Sequence, residues 1–336
     1  MEKIKLFEMF AGYGGASFAL KKAGVDYETV GYSEIDKFAI QCYEQNHGNV
    51  KNYGDCTKIN VNELPDFDLL TGGFPCQAFS FAGKSQGVDD EKGRGLLFND
   101  IIRIAEVKKP KYMLLENVKG LLSKKHKDFF EFTKSELTRL GYKFDVRVYK
   151  SSDYGNPQKR ERVFYVCMLE ELKYIVPNKT DTKNIFESRL LEENVDNKFY
   201  LSSSALERLK RGGFRNNCSD GWCMTQISSQ YKKNWNTPIV ADFRYDVGLR
   251  PRGDRFSPTL TTNNNNSGIS SSVSISFDFE NFRYLTPKEC FRLMGFFNDE
   301  INLDNLSYTQ KYKLAGNGWD INLVSQIFTQ MFKKCE

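Results

Sequence analysis

The chain has 336 residues, 40% of them hydrophobic, and 48 Lys and Arg against 43 Asp and Glu give a formal net charge of +5. At ~100 to 200 residues per domain this is one large or two unequal domains with a sizeable core. No run approaches the ~18 uncharged apolar residues of a membrane span, and the opening "MEKIKLFEMF" carries acids and no cleavage site, so a cytoplasmic protein is expected. The eight cysteines show neither a C-x-x-C pair nor a repeating spacing, which argues against zinc and against a disulfide framework. The two histidines, His47 and His126, each lie beside Lys or Gly in segments expected to be exposed, so neither a metal site nor a His-centred mechanism is expected.

In chain order the first 170 residues alternate strand and helix patterns. "KIKLFEMF" predicts a strand, "GASFALKKAG" a helix closed by Gly24, "YETVGYSEI" a strand and "DKFAIQCYEQNHG" a helix. "DFDLLTGG" predicts the next strand, "LLFNDIIRIAEVKK" a helix, "PKYMLLEN" a strand and "KDFFEFTKSELTRLG" a helix. "YKFDVRVYK" and "RVFYVCML" complete the series as strands. This is a doubly wound α/β pattern, whose parallel sheet binds ligands at the carboxyl ends of its strands. Beyond about residue 175 the periodicity fades into turn-rich sequence, with an exposed turn expected at "NNNNSG", and helical patterns return in "TPKECFRLMGF" and "NLVSQIFTQMFKK".

The positive charge is concentrated. Residues 203 to 256 hold ten Lys and Arg against five Asp and Glu, which leaves 38 of each sign elsewhere. Interleaved with Trp222, Trp235, Phe243 and other aromatics, these charges have the composition of a polyanion-binding surface, or equally of a solvated, loop-rich insertion.

Chemistry concentrates at the expected strand ends. In "FAGYGG", Gly12, Gly14 and Gly15 allow a tight turn and close approach of a ligand. Ser17 stands where a dinucleotide fingerprint would have its third glycine, so pyrophosphate binding is poorly supported. Glu34 follows Gly12 by 22 residues, placed to accept ribose hydroxyls, and Asp55 is placed for an adenine amino group. A glycine turn with two acids and little phosphate machinery suits S-adenosylmethionine better than a nicotinamide. In "LLTGGFPCQAFS", Pro75 restricts the backbone before Cys76 and can aim its thiol into a cleft. "MLLENVKG" ends a strand with Glu116 and Asn117, and "NPQKRERVFYV" opens one with Gln158, Arg160 and Arg162, whose guanidinium groups can hold phosphate or a base edge or lower a thiol pKa. Each residue taken singly also fits an ordinary core or surface role.

In this order the segments resemble the DNA cytosine-5 methyltransferase family over nearly the whole chain. "FEMFAGYGG" resembles its cofactor loop (Phe10, Ala11, Gly12, Gly14, Gly15), "SEID" its ribose acid, "GD" at 54 and 55 its adenine contact, and "GGFPCQAFS" its nucleophile loop. "LLENVKGL", "GNPQKRERVF", "RYLTPKECFRLMGF" and "AGNGW" resemble its acid strand, arginine motif, late helix and last cofactor contact, Asn317. The last motif departs from the family, which more often has a small hydroxyl residue and valine where Gly318 and Trp319 stand.

The resemblance implies a Rossmann-like catalytic domain (1–182 with 312–336), a smaller β and loop target-recognition domain (183–282) and a hinge (283–311). It implies C5 methylation of a cytosine flipped from double-stranded DNA, with S-adenosylmethionine as donor and Cys76 as nucleophile at C6. Glu116 would hydrogen-bond or protonate N3, Asn117 orient the loop, Arg162 hold the base carbonyl, and Arg160 assist. Gln77, Ser80, Lys84, Gln158, Arg252, Arg255 and Thr259 are the candidate DNA contacts, Thr259 as part of the Thr-Leu pair in "RFSPTLTT". The glycine-rich "FAGKSQGVDDEKGRGLL" has the composition of a lid. A monomer is expected, with a restriction endonuclease as a possible separate partner. Three other readings remain open: a transfer-RNA cytosine methyltransferase, a catalytically silent DNA-binding regulator, and a dehydrogenase.

Overall fold

The computed structural model describes residues 3–74, 97–185, 188, 190–201, 203, 239–244, 248–252, 256–260, 273–276 and 282–333. The chain forms two compact units. The first comprises Met1–Lys150, Glu161–Asn178 and Ile321–Glu336, the second Ser151–Arg160 and Lys179–Asp320. The second unit takes in residues 151–160, 179–182 and 312–320, which the sequence boundaries placed in the catalytic domain, and the 283–311 segment drawn there as a hinge.

The first unit is a six-stranded sheet flanked by helices. Its strands are β1 (Ile4–Met9), β2 (Tyr27–Ser33), β3 (Leu69–Gly73), β4 (Tyr112–Val118), β5 (Lys143–Lys150) and β7 (Glu161–Met168), in the order β2-β1-β3-β4-β7-β5. The first four strands are parallel, whereas β7 runs antiparallel to both β4 and β5. The sheet is therefore mixed, not wholly parallel as expected. The ten residues joining β5 to β7 are fewer than a parallel crossover needs, so the chain reverses instead. The strand order changes direction at β1, which puts the switch point where β1 and β3 end.

The helices of this unit are α1 (Gly15–Lys22), α2 (Lys37–His47), α3 (Leu97–Lys108), α4 (Lys127–Arg139) and α7 (Ile321–Met331). Asp36 caps α2 by accepting the Phe38 and Ala39 amides, and α7 packs on α1. Alternation along β1 assigns its two faces. Phe7 and Met9 join the core with Ile101 and Phe98 of α3 and Phe129 and Leu137 of α4, while Glu8 points to the other face, toward α1 and α2. Among the described residues no helix is long and apolar enough to cross a membrane.

The second unit holds β6 (Gln158–Lys159), β8 (Ile239–Arg244), β9 (Gly248–Arg252), β10 (Ser257–Pro258), β11 (Val273–Ser276), β12 (Phe282–Tyr284), α5 (Pro287–Arg292) and α6 (Tyr308–Asn317). Four of its strands form an antiparallel sheet in the order β12-β11-β8-β9, and β6 pairs with β10. Thr286 and Glu289 form a reciprocal capping box that starts α5, and Glu289 also receives two 2.8 Å bonds from the buried Arg283 guanidinium. Helix α6 was not expected, although Ser307 and Gln310 carry the same capping signature. Its apolar stripe is short, and the polar "YTQKYK" that begins it hides the helical period.

Candidate active site

The glycine turn after β1 is built for close approach. Phe10, although not glycine, adopts φ +53° as the chain leaves β1, and Gly12 and Gly14 follow at +57° and +83°. A Cβ on Gly12 would meet no heavy atom within 4 Å, so that side of the turn is open. A Cβ on Gly14 would lie 2.2 Å from His47 Nε2, so the imidazole fills that side. His47 is thus half-buried, not exposed as its neighbours suggested. It bonds the Tyr13 carbonyl at 3.0 Å, and burial lowers its pKa to about 4.

Glu34 stands just past β2 and gathers this turn. Its Oε2 accepts the Gly12 amide at 2.9 Å, and its Oε1 accepts the amides of Ile35 and Asp36 at 2.8 and 2.9 Å. A carboxylate has about four acceptor positions, so there is capacity left for a ribose hydroxyl. Ile35 beside it is 74% exposed, an apolar face next to a sugar-binding acid. Asp55 caps a short turn by accepting from the Thr57 amide and hydroxyl at 3.0 and 2.8 Å, bonds that hold its pKa below the usual carboxylate value. An open glycine cradle, an acid with free lone pairs and an exposed apolar side chain fit a nucleoside cofactor without phosphates. Ala11 and Gly15 flank the cradle, Gly15 as the first residue of α1.

Glu8 was not anticipated. It is buried, and its carboxyl receives the Ser17 and Tyr43 hydroxyls and the Ala16 amide. Burial raises its pKa to about 7 against these three donors, which pull it down. The acid thereby joins β1 to α1 and α2 directly beneath the glycine turn. Ser17, standing where a dinucleotide fingerprint would have glycine, donates its hydroxyl to this carboxyl. The available signal was an acid set among the apolar residues of "KLFEMF".

A second cluster forms at the carboxyl ends of β3 and β4. Gly73 pairs with Glu116, so the chain leaves the sheet beside that acid, only three residues before Cys76. Asn117, 1% exposed, donates Nδ2–H to the Phe74 carbonyl at 3.0 Å and accepts the Val118 amide at 2.8 Å. Arg162 enters from β7, where it pairs across from Val118, and its Nε lies 2.9 Å from Glu116 Oε1. Both side chains are mostly covered, at 17% and 12% exposure. Arg162 Nη1 donates to the Glu161 carbonyl at 2.9 Å, and among the described residues Nη2 has no partner.

Arg160 takes another direction. It is 3% exposed and donates to the carbonyls of Gly316 (3.2 and 3.3 Å) and Gly318 (2.8 Å) at the carboxyl end of α6, where a cation is favoured. Asn317 is the last residue of α6 and is exposed. In the same unit Gln158 is fully buried in β6, and Thr259 donates its hydroxyl to the Lys159 carbonyl at 3.0 Å, just past β10. Cys76, Gln77, Ser80, Lys84 and Arg255 lie outside the described residues, as do the expected lid, the "NNNNSG" turn and most of the basic segment. The backbone of Arg252 ends β9.

Residues 4–333 match the family described as C-5 cytosine-specific DNA methylase. The type II methyltransferase M.HhaI of Haemophilus parahaemolyticus is 32% identical over 331 residues, covering 96% of this chain and 93% of its own. The orphan methyltransferase M.Rho11sI of Bacillus phage rho11s is 35% identical over 241 residues, 62% of this chain and 48% of its own. Among solved structures, the S. pombe Dnmt2 methyltransferase shares the fold with a TM-score of 0.66 at 18% identity, covering 99% of each chain.

Proposed function

The chain belongs to the C-5 cytosine-specific DNA methylase family, and from that premise we propose that Cys76 adds to C6 of a cytosine turned out of duplex DNA. S-adenosylmethionine supplies an electrophilic methyl group when bound. The observation that carries the assignment of residues is the Glu116–Arg162 pair at the strand end from which the Cys76 loop departs.

Cytosine C5 is too weak a nucleophile to take a methyl group unaided. The Cys76 thiolate forms a bond to C6, and the electron pair displaced from the C5–C6 double bond moves into the ring toward N3. Glu116 hydrogen-bonds or protonates N3 and so relieves that charge, which leaves C5 enamine-like and reactive. Arg162 orients Glu116 through Nε and has Nη2 left to hold the base carbonyl. Asn117 fixes the root of the loop at Phe74. After methylation N3 returns to Glu116 any proton it received, the C5 proton departs to a base, the electron pair restores the C5–C6 double bond, and the Cys76 thiolate is expelled.

Gly12, Glu34, Ile35 and Asp55 are the first unit's contribution to holding the cofactor's nucleoside, with Phe10, Ala11, Gly14 and Gly15 shaping the turn. Asn317 is a further cofactor contact by family resemblance. Target recognition falls to the second unit, with Arg252, Arg255 and Thr259 as DNA contacts and Gln77, Ser80 and Lys84 contributing from the nucleophile loop; Gln158, expected as a further contact, is fully buried in β6 and out of reach of DNA. Arg160 braces the end of α6. The enzyme works as a cytoplasmic monomer, either beside a separate restriction endonuclease or as an orphan; its relatives include a type II methyltransferase and an orphan methyltransferase.

Base-resolution sequencing of 5-methylcytosine in plasmid DNA from cells expressing the wild type or Cys76→Ala tests the reading. Marks in one short motif with the wild type and none with the variant are expected. Marks with both would remove Cys76 from the chemistry. Marks with neither, both proteins being folded, would refute the DNA assignment and make transfer RNA the next substrate to test.

A further inference from the structure

The segment that follows the Glu116 strand, "KGLLSKKHK" from Lys119 to Lys127, holds four lysines and no acid. Counting charge by region hides it, because the surplus assigned to residues 203–256 leaves the rest of the chain neutral on balance. Two short 3-10 turns, Lys119–Leu122 and Lys124–His126, carry the chain from β4 into α4. Fully buried Leu121 anchors them, and bonds from the Ser123 amide to the Gly120 carbonyl (3.0 Å) and from the His126 amide to the Ser123 carbonyl (2.9 Å) set their shape. The lysines therefore stand on a defined platform.

Their pairing is uneven. Lys119 is neutralised by Glu161, with Nζ 3.0 Å from both carboxylate oxygens. Lys124, Lys125 and Lys127 are exposed, and none of them has an ion-pair partner among the described residues. They also crowd the start of α4, whose N-cap His126 makes no side-chain bond to the helix. Asp128 is the one acid in the first turn of α4, so three cations crowd the positive end of the helix dipole against a single carboxylate. A polyanion would balance the remainder.

Distance sets where along a duplex they can act. Lys127, the farthest of the three, follows Glu116 by eleven residues, but the two 3-10 turns between them rise only about 2 Å per residue, so the span is at most about 32 Å. That is less than the ~34 Å of one B-DNA turn. We infer that Lys124, Lys125 and Lys127 form an accessory phosphate-contact surface that grips the duplex backbone within one helical turn of the target cytosine. It rests on the DNA reading above. It positions the duplex without reading sequence, since phosphates carry no base identity.

The test is a triple variant of the full chain, Lys124→Gln with Lys125→Gln and Lys127→Gln, titrated with a mixed-sequence 40-base-pair duplex between 50 and 200 mM salt. Each phosphate contact contributes about 0.9 to the slope of log affinity against log salt. Loss of three contacts lowers the slope by about 2.7, so the wild type loses about 40-fold more affinity across that range than the variant does. The corresponding triple arginine variant is expected to keep the wild-type slope. S-adenosylmethionine affinity and the unfolding midpoint should match the wild type, which separates lost contacts from misfolding. An unchanged slope in the glutamine variant would overturn the surface while leaving the enzyme assignment intact, as would a change seen with an RNA hairpin and not with DNA. Failure of the wild type to bind duplex or to mark plasmid DNA would overturn both.

Discussion

Glu8 and Glu116 lie in parallel strands of one sheet, yet their surroundings give them different work. Glu8 sits within β1, enclosed by two hydroxyls and an amide, with no ion-pair partner among the described residues, and burial dominates its ionisation. Glu116 sits near the end of β4, faces the Arg162 guanidinium, and stands where the chain leaves the sheet toward Cys76. Position along the strand makes the difference. An acid inside the sheet layer can only tie elements together, whereas an acid at the carboxyl end can reach a substrate.

The largest effect that can break this contrast comes from the strand end. Glu116→Gln and Arg162→Ala are each expected to lower kcat by about 100- to 10,000-fold, with S-adenosylmethionine affinity nearly unchanged in a titration. An equal loss of cofactor affinity in either variant would mean that the pair supports the cofactor turn instead of the chemistry. Glu8 is expected to behave in the opposite way, through stability and pH. Between pH 4.5 and about 7 the folded protein keeps a proton that the unfolded chain has released, so stability falls as pH rises through that window. The fall is at most about 3 kcal/mol, and Glu8→Gln should abolish it. Urea unfolding at pH 5 and pH 8 reads it directly, and parallel losses in wild type and variant would show that Glu8 does not titrate in this range.

The smallest effect separates the two sides of the glycine turn. Gly12→Ala adds a left-handed backbone cost of about 1 to 2 kcal/mol and projects a methyl into open space, so cofactor affinity should fall about tenfold beyond any loss of stability. Gly14→Ala carries the same backbone cost and also collides with His47, so its loss of stability should be the larger. Calorimetric titration together with thermal unfolding distinguishes them. A Gly12→Ala protein that binds S-adenosylmethionine normally would place the cofactor away from this cradle.

Much of this arrangement was legible because it is local. The period of "GASFALKK" and the apolar run "YMLLENV" reflect single elements burying single faces, and each became the helix or strand its pattern implied. The glycine turn, Glu34 and the Glu116–Asn117 strand end were legible for a related reason, since tight turns and strand ends restrict which residues can stand there. Helix α6 was missed because its face is mostly polar, even though its cap was written in Ser307 and Gln310.

The amino-acid sequence by itself determined the alternation of strands and helices, the family motifs and the residue types able to add to a cytosine ring. Tertiary structure alone decided that β7 runs antiparallel and so delivers Arg162 to Glu116, that Arg160 turns to the end of α6, and that Glu8, Ser17 and Tyr43 meet. Those outcomes depend on contacts between residues nine to more than a hundred and fifty positions apart. Hydrophobic period and turn chemistry report a residue's own neighbourhood, whereas burial and hydrogen-bond partners are set by whatever the fold brings alongside.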